Sequence, residues 1–363
     1  MTVLFISLIS LFVLFFVYKR TPYLKLLAHN VLGILYNLKN SIKTKKVIDL
    51  ESDRAGYDIR CANAVVPMSL KSYIGNNQNV HPKVLFFKEG FGGHKFWMAY
   101  TPFPWYIDCY ENPCIAFSED GYNWTNIADN PIDDPHKDGY DSDTHLVYRE
   151  DIERLECWYR YVGNYKKPPV TERILRRTSK DGISWSEPEL IYENTSGEYA
   201  RLMSPSILWD GSKYQIWVIN KYNDFSIDLY DWQENKRSFE LVQRTRLSCV
   251  ATGDSTKYKP WHLDVIRERN ELVFLIMCKE EKGSGTRRWD LFMTGSINGT
   301  DFTTPELVLH GSEQGWDRNI YRASLVNVEG EYRIYYSALN LIGKHGIGIT
   351  TSNHLGEFVG QKN

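Results

Sequence analysis

Three hydrophobic patterns follow one another along the chain. Thr2 to Tyr18 is an almost unbroken run of Val, Leu, Ile and Phe, stopped by Lys19-Arg20. Its length of about 17 residues is the short end of a membrane-spanning helix. It lacks the basic start and small-x-small ending of a cleaved signal peptide. It therefore predicts a transmembrane anchor over residues 1–20. From Tyr23 to Leu38, the residues Leu24, Leu27, Val31, Ile34, Leu35 and Leu38 recur at helical spacing. That pattern predicts a basic, amphipathic juxtamembrane helix or linker over 21–48. It either lies on lipid headgroups or packs on the rim of the domain that follows. Residues 49–363 change period again, to short apolar strands.

Those strands repeat, which marks a repeat architecture. Two markers fix the register. One is a turn followed by an aromatic: S-E-D-G-Y-N-W at Ser118–Trp124, S-K-D-G-I-S-W at Ser179–Trp185 and a weaker S-I-N-G-T-D-F at Ser296–Phe302. Asp-Gly and Asn-Gly suit tight turns because glycine accepts a positive φ. The offsets of 61 and 117 residues imply one decayed copy between the second and third. The other marker is a strand that opens each repeat. It reads His81-Pro82-Lys83-Val84-Leu85, Asp143-Thr144-His145-Leu146-Val147, Ser204-Pro205-Ser206-Ile207-Leu208, His262-Leu263-Asp264-Val265-Ile266 and Arg322-Ala323-Ser324-Leu325-Val326. The spacings are 62, 61, 58 and 60 residues. Five such repeats, each with room for four strands, predict an all-β, five-bladed β-propeller. Residues from about 50 to 79 are expected at its closure, available to lend a strand to the last blade. A pair of immunoglobulin-like sandwiches does not explain five equal spacings.

In a propeller the first strand of each blade lines the central channel, and side chains alternate along a strand. An outer ring of His81, Asp143, Ser204, His262 and Arg322 is therefore expected above a second ring of Lys83, His145, Ser206, Asp264 and Ser324. All ten are polar, while the fourth and fifth pentad residues are all Val, Leu or Ile. Buried without function, such rings would leave many groups unpaired. The competing reading is a water-filled channel with structural hydrogen bonds.

Composition adds detail. Aromatic residues make up 14% of the chain, with 24 Tyr and 11 Trp, which suits pleated surfaces and the stacking of sugar rings. Residues 1–46 hold seven Lys and Arg and no acid, so the remainder holds 36 Lys and Arg against 45 Asp and Glu. A mildly acidic body excludes a nucleic-acid partner bound through a basic face. The basic residues near the apolar run all lie on its C-terminal side. The positive-inside rule then places the body of a single-pass membrane protein in the cytoplasm, with the membrane contacted through residues 2–18. The six cysteines leave the compartment open.

The blade plan, the S-x-D-G-x-x-W turns and the polar-Pro openings of inner strands resemble glycoside hydrolase family 43 and its five-bladed relatives, over roughly residues 75–355. The resemblance implies an Asp opening the first blade as general base, an Asp in the second that tunes and orients, and a Glu opening the third as general acid. Asp143 matches the second-blade Asp. His81 stands at the base position and Ser204 at the acid position, departures that weaken ordinary two-carboxylate hydrolysis. His262 resembles a channel histidine placed near a metal or water. Asp143 and Asp264 offer a carboxylate pair across the channel, with His81, His145 or His262 as acid. Glu198, before blade three, is either another acid or a solvated loop residue.

Substrate contacts are expected from Phe103, Trp105, Tyr106, Trp261 and Trp316, and from His145, Ser204, Arg318 and Arg322. Lys166, Lys167, Arg287, Arg288 and Arg318 suggest an anionic glycan. No cofactor is expected, except that a divalent metal or ordered water could sit between His262, His145 and Asp264; a hydrogen-bonded His–Asp pair is the alternative. Three functions fit: a glycoside hydrolase acting on a surface or capsular polysaccharide, a glycosyltransferase or phosphorylase on the same fold, or a non-catalytic glycan-binding or assembly scaffold.

Overall fold

The computed structural model describes residues 21–43, 63–164, 169–194, 196–250, 256–281, 288–312, 315–355 and 357–360. It contains five antiparallel sheets arranged as blades. Blade one runs from its inner strand Asn79–Phe91 through His94–Pro102 and Cys114–Ser118 to Thr125–Asn126. The inner strands of the other blades are Gly139–Arg149, Met203–Trp209, Lys257–Glu268 and Asn319–Val328. Each blade is a four-stranded meander, and blade four adds the short strand Cys249–Val250 beside its inner strand. The five-bladed, all-β expectation holds, with all five pentads on inner strands.

Blades are separate sheets, so no backbone ladder joins one inner strand to the next. Side chains of the second ring make that join. Ser206 Oγ accepts from Val265 N at 2.9 Å, Asp264 Oδ2 from Leu325 N at 3.1 Å and Ser324 Oγ from Val84 N at 3.1 Å. His145 Nε2 meets Ile207 O at 3.0 Å, and Lys83 Nζ donates to Asp264 Oδ1 at 2.6 Å. In four of the five blades the third pentad residue thus reaches the backbone of the fourth pentad residue next door.

Farther out, the glycine turns lock neighbouring blades. In each copy the Ser and Asp or Asn side chains cap the turn, and the glycine faces an aromatic ring of the preceding blade. Gly121 O accepts from Tyr335 Oη at 3.0 Å, and Gly299 O accepts from Trp217 Nε1 at 2.9 Å. A Cβ on Gly182 would lie 2.2 Å from the Trp97 ring. The turns are thus contacts between blades rather than simple hairpin tips.

The closure is where it was expected, but it gains no strand from the segment ahead of blade one. All four strands of blade five come from the C-terminal part of the chain, and residues 63–78 contribute no strand. They pack on blades four, five and one: Asn63 Nδ2 donates to His310 O at 2.9 Å, Met68 N to Ile347 O at 2.7 Å, and Met68 and Leu70 join Val84, Phe96 and Met98 of blade one in one apolar cluster. Before them, Pro22–Lys43 is a helix that packs on the rim against Trp105. Among the described residues no helix is long and apolar enough to cross a membrane, which overturns the expected single-pass membrane localisation. The apolar run 2–18 that carried it lies outside the described residues.

Gly182→Ala is expected to lose on the order of 2–4 kcal/mol, from a left-handed backbone and overpacking against Trp97. Gly211→Ala, at φ 97° with open space around it, should lose only the backbone part. Urea unfolding of the two variants checks the difference.

Candidate active site

All five inner strands are interrupted at the same height. Pairing with the second strand slips between Val80 and Lys83, Ser142 and His145, Met203 and Ser206, Pro260 and His262, and Ile320 and Arg322. These are β-bulges, which re-aim side chains. In blades one to three they set His81, Asp143 and Ser204 at φ values of 56°, 58° and 53°. Such a backbone costs a non-glycine residue on the order of 1–3 kcal/mol and is concentrated at functional sites. Pro82 and Pro205 fall in these bulges, where a missing N–H is tolerated.

Asp143 is the hub. Its Oδ2 pairs with Arg160 Nε at 3.0 Å and accepts from Ser204 N at 3.1 Å. Its Oδ1 faces His81 Nε2 at 3.3 Å, His262 Nδ1 at 3.4 Å and Arg322 Nη1 at 3.5 Å. Burial pushes the carboxyl upward, but Arg160, His81 and His262 outweigh it and hold it well below the usual carboxylate range. Burial lowers both imidazoles, His262 to about 4 and His81 well below its ordinary value. Both are neutral at pH 7.

The neutral rings are also underused. His81 Nε2 and both ring nitrogens of His262 are buried without a hydrogen-bond partner. His81, Asp143 and His262 present ligand atoms that all lie within 4.8 Å of one another. Two imidazoles and a carboxylate suit a first-row divalent cation. His81 Nδ1 lies 2.8 Å from Thr101 Oγ1 and 3.3 Å from the Asp143 N–H, while Nε2 faces Asp143 Oδ1. A second group joins Asp133 and His136, ahead of blade two, to Asp141 at the start of its inner strand. There Asp133 is already engaged by Arg177 at 2.7 Å and by Tyr159.

Glu111 completes the centre. Its buried Oε2 lies 3.6 Å from His81 Nδ1 and has no hydrogen-bond partner. Burial, with Asp108 and Asp143 adding, pushes its carboxyl well above the usual range. Around it the channel charges balance: Lys83, Arg160 and Arg322 face Asp264, Glu172 and Asp143. Glu111 is a fourth carboxyl. The wall is aromatic, with the Tyr321 ring 4.6 Å from His262 and 5.3 Å from His81, and the Phe103 ring 5.1 Å from His345.

The residues expected at the site separate into groups. His81, Asp143 and His262 converge. Asp264 and His145 sit in the second ring, where Asp264 is tied to Lys83 and Leu325 N, and His145 to Ile207 O. The expected metal set of His262, His145 and Asp264 is thus replaced by one centred on Asp143. Ser204 and Arg322 are fully buried; Ser204 Oγ accepts from Leu263 N at 3.0 Å and Arg322 Nη2 donates to Pro205 O at 3.1 Å. Trp261 stands at the rim, with Lys279 Nζ 3.1 Å above its ring. Trp316 stacks on Tyr336 and donates to Ala64 O at 2.9 Å, in the closure. Trp105 lies under the N-terminal helix. Arg318 is half-buried ahead of the blade-five inner strand, and Glu198 pairs with Arg201. Lys166, Lys167 and Arg287 lie outside the described residues. Sequence reasoning missed Glu111, Arg160 and Tyr321. The only signal was position: Glu111 ends the aromatic loop 101–112, and Tyr321 immediately precedes a pentad.

His81, His145, His262 and His345 are all lowered by burial, His345 to about 3. Below pH about 6.5 the unfolded chain binds protons that these folded imidazoles refuse, so stability falls as pH drops toward 4. Glu111, Asp141, Glu156 and Asp317, raised in the fold by burial, offset part of this uptake. Urea unfolding should therefore lose on the order of 2 kcal/mol between pH 6.5 and 5. His145→Gln, which can keep the bond to Ile207 O, should flatten the slope by about 1.4 kcal/mol per pH unit.

No protein-family model matches the chain. It is 24% identical over 317 residues to the A type blood N-acetyl-α-D-galactosamine deacetylase of Flavonifractor plautii, covering 73% of this chain and 40% of the relative. The chain thus spans less than half the length of that protein. The crystal structure of an N-acetylgalactosamine deacetylase from F. plautii, in complex with blood group B trisaccharide, superposes with a TM-score of 0.65 at 21% identity, covering 82% of this chain and 96% of that one. The catalytic domain of the Coprinopsis cinerea GH62 α-L-arabinofuranosidase gives a TM-score of 0.57 at 12% identity, over 81% and 96% of the two chains. These relatives are carbohydrate-active enzymes, in line with the glycosidase-like, carbohydrate-active reading of the sequence. What the superpositions establish for this chain is the five-bladed propeller those enzymes use.

Proposed function

We propose that the protein is a divalent-metal-dependent hydrolase that removes an N-acyl group, such as acetyl, from an amino sugar of a glycan. His81, Asp143 and His262 are the metal ligands, and Glu111 is the proton-transfer group. The observation that carries this is a pair of buried, neutral imidazoles whose contacts to an ionised Asp143 are loose, at 3.3 and 3.4 Å, and of which His262 leaves Nε2 without a hydrogen-bond partner. A structural channel has no reason to leave them so loosely paired. The second ring, built from the same strands, pairs most of its groups. The similarity to a deacetylase supplies the substrate class.

The cation would polarise the amide carbonyl and make water a nucleophile near neutral pH. The chain's own groups do the rest. Arg160, Ser204 N and Arg322 pin Asp143, so it stays a fixed anion. Glu111 sits on the far side of His81, with a carboxyl whose proton affinity burial raises. Tyr321, Phe103 and His345 form an aromatic wall beside the centre, which favours a sugar ring and excludes water. Lys279 lies 3.1 Å over Trp261 and 4.0 Å over Trp289, and Lys221 lies 5.3 Å from Trp261; these rim cations favour an acidic substituent on the glycan.

A second reading uses the same site for glycosidic hydrolysis. A raised Glu111 beside an ionised Asp143 resembles an acid–base pair. Amide hydrolysis is favoured because Asp143 is held too acidic to accept a proton efficiently, and because glycosidic hydrolysis would not use the free imidazole nitrogens.

Purified protein should contain one divalent cation per chain and release acetate from N-acetylhexosamine oligosaccharides. Chelation should stop the reaction and added metal restore it. His262→Gln and Asp143→Asn should each lower kcat/KM at least about a hundredfold. Glu111→Gln should lower kcat as much while retaining the metal. Chelator-insensitive release of reducing sugar without acetate would move the assignment to the glycosidic reading.

A further inference from the structure

Trp105 has an environment that a sugar platform would not have. Its indole is only 7% exposed, and what covers it is the helix Pro22–Lys43. Trp105 Nε1 donates to Asn30 Oδ1 at 3.0 Å, and its ring stacks on His29 with centroids 5.6 Å apart and planes 20° apart. Gly33 lies directly beneath. A Cβ built there would come within 3.1 Å of the indole edge, so the helix approaches this closely only because the residue is glycine. Gly33 is also the one buried position among helix residues whose burial is described, while Tyr23, Leu27, Val31, Leu32 and Leu35 are exposed. Three successive features of one helix face are therefore spent on a single side chain.

That side chain sits in the loop that builds one wall of the candidate site. Trp105 and Tyr106 are consecutive left-handed residues, with φ values of 54° and 59°. This costly backbone turns neighbouring rings in opposite directions. Trp105 turns out to the helix, and Tyr106 turns back onto His345, 5.0 Å between centroids. One residue upstream of the Pro104 turn, Phe103 contacts both His345 and Tyr321. Downstream, the loop ends at Glu111, whose free Oε2 faces His81. Within it, Phe103 N, Ile107 N, Tyr110 N and Glu111 N are all hydrogen-bonded to backbone carbonyls. The loop is therefore one connected piece with two ends in the site and its middle under the helix.

We infer that the helix Pro22–Lys43 is a positioning element of the site. By holding Trp105 through His29, Asn30 and Gly33, it fixes the loop that sets Phe103, Tyr106 and Glu111 against His81 and Tyr321. Asn30, His29 and Gly33 touch no reacting group and act only through Trp105. The helix thus couples the N-terminal part of the chain to the shape of the pocket wall. The positioning role rests on the proposed reaction only for its kinetic consequence; the mechanical coupling does not depend on it.

The experiment uses the full chain and four variants. Gly33→Leu drives a side chain into the indole and should undock the helix. Asn30→Ala removes the acceptor for Trp105 Nε1, Asn30→Asp keeps one, and Leu27→Ala changes an exposed position. Hydrogen–deuterium exchange is read at the amides of Phe103, Ile107, Tyr110 and Glu111. KM and kcat are read on an N-acetylhexosamine oligosaccharide. In Gly33→Leu, exchange of those four amides should rise tenfold or more, with blade amides and Tm unchanged, and KM should rise about tenfold. Asn30→Ala should fall between, whereas Asn30→Asp and Leu27→Ala should match the wild type. A helix that merely shields the rim would leave loop exchange and KM unchanged in Gly33→Leu, and that result overturns the inference. Absence of acetate release from the wild type would defeat the proposed reaction, while loop exchange would still decide the coupling.

Discussion

The structure depends on how five sheets that share no backbone ladder are held to one axis. Hydrogen bonds within a blade are abundant, but adjacent inner strands are separate sheets and splay around the channel. Their buried amides still need partners, since an unpaired buried backbone group costs about as much as a lost hydrogen bond. Ser206, Asp264 and Ser324 supply acceptors to Val265, Leu325 and Val84 N–H groups, and His145 reaches Ile207 O. A polar residue at the third pentad position is thus a requirement of the architecture. Lys83 fits the same logic from the cationic side, since Asp264 needs a counter-charge once it is dehydrated.

The candidate site lies in the ring above, where each inner strand bulges. Outer-ring side chains still reach the next backbone there: His81 Nδ1 accepts from Asp143 N at 3.3 Å, Asp143 Oδ2 from Ser204 N at 3.1 Å and Ser204 Oγ from Leu263 N at 3.0 Å. His81, Asp143 and His262 also converge on one another. Their geometry is loose for hydrogen bonds, at 3.3 and 3.4 Å with ring nitrogens unsatisfied, yet suitable for a small cation between them. The strain at His81 and Asp143 has the same origin. A left-handed backbone is tolerated where surrounding packing over-determines it, here Arg160, Arg322 and the Ser204 N–H around one carboxylate.

The repeat and its register could be read from the sequence because they rest on spacing. Turn glycines and pentads recur whether or not a blade carries chemistry, and every pentad lies on an inner strand. The sorting of the ten polar positions into a tied ring and a convergent ring could not be read. It depends on bulges, and no residue type marks a bulge when its left-handed residue is His, Asp or Ser rather than Gly. Alternation puts Asp143 in the outer ring and Asp264 in the second, yet the sequence reading offers the two as a carboxylate pair across the channel; the fold ties Asp264 to Lys83 instead. The aromatic residues misled for a related reason. Trp105, Trp261 and Trp316 were grouped by proximity to the channel in sequence, but one is under a helix, one at the rim and one in the closure. Glu111 was invisible because its loop has no periodicity, and its chemistry comes from burial that only the fold creates.

The charge arrangement explains why a single asymmetric site arises from a fivefold plan. Three cations and three carboxylates fill the channel in pairs: Lys83 with Asp264, Arg160 with Glu172 and Asp143, and Arg322 with Asp143. Buried charges persist only when matched in this way, because each would otherwise bear a desolvation cost of several kcal/mol. Glu111 is the carboxyl without a matching base within this set, and its raised proton affinity follows from burial and from the neighbouring anions Asp108 and Asp143. A cation among His81, Asp143 and His262 would supply the missing positive charge and favour ionised Glu111. Proton release at Glu111 and occupancy of the histidine cluster are then two sides of one electrostatic balance. That coupling ties the loop bearing Glu111 to the chemistry of the inner ring.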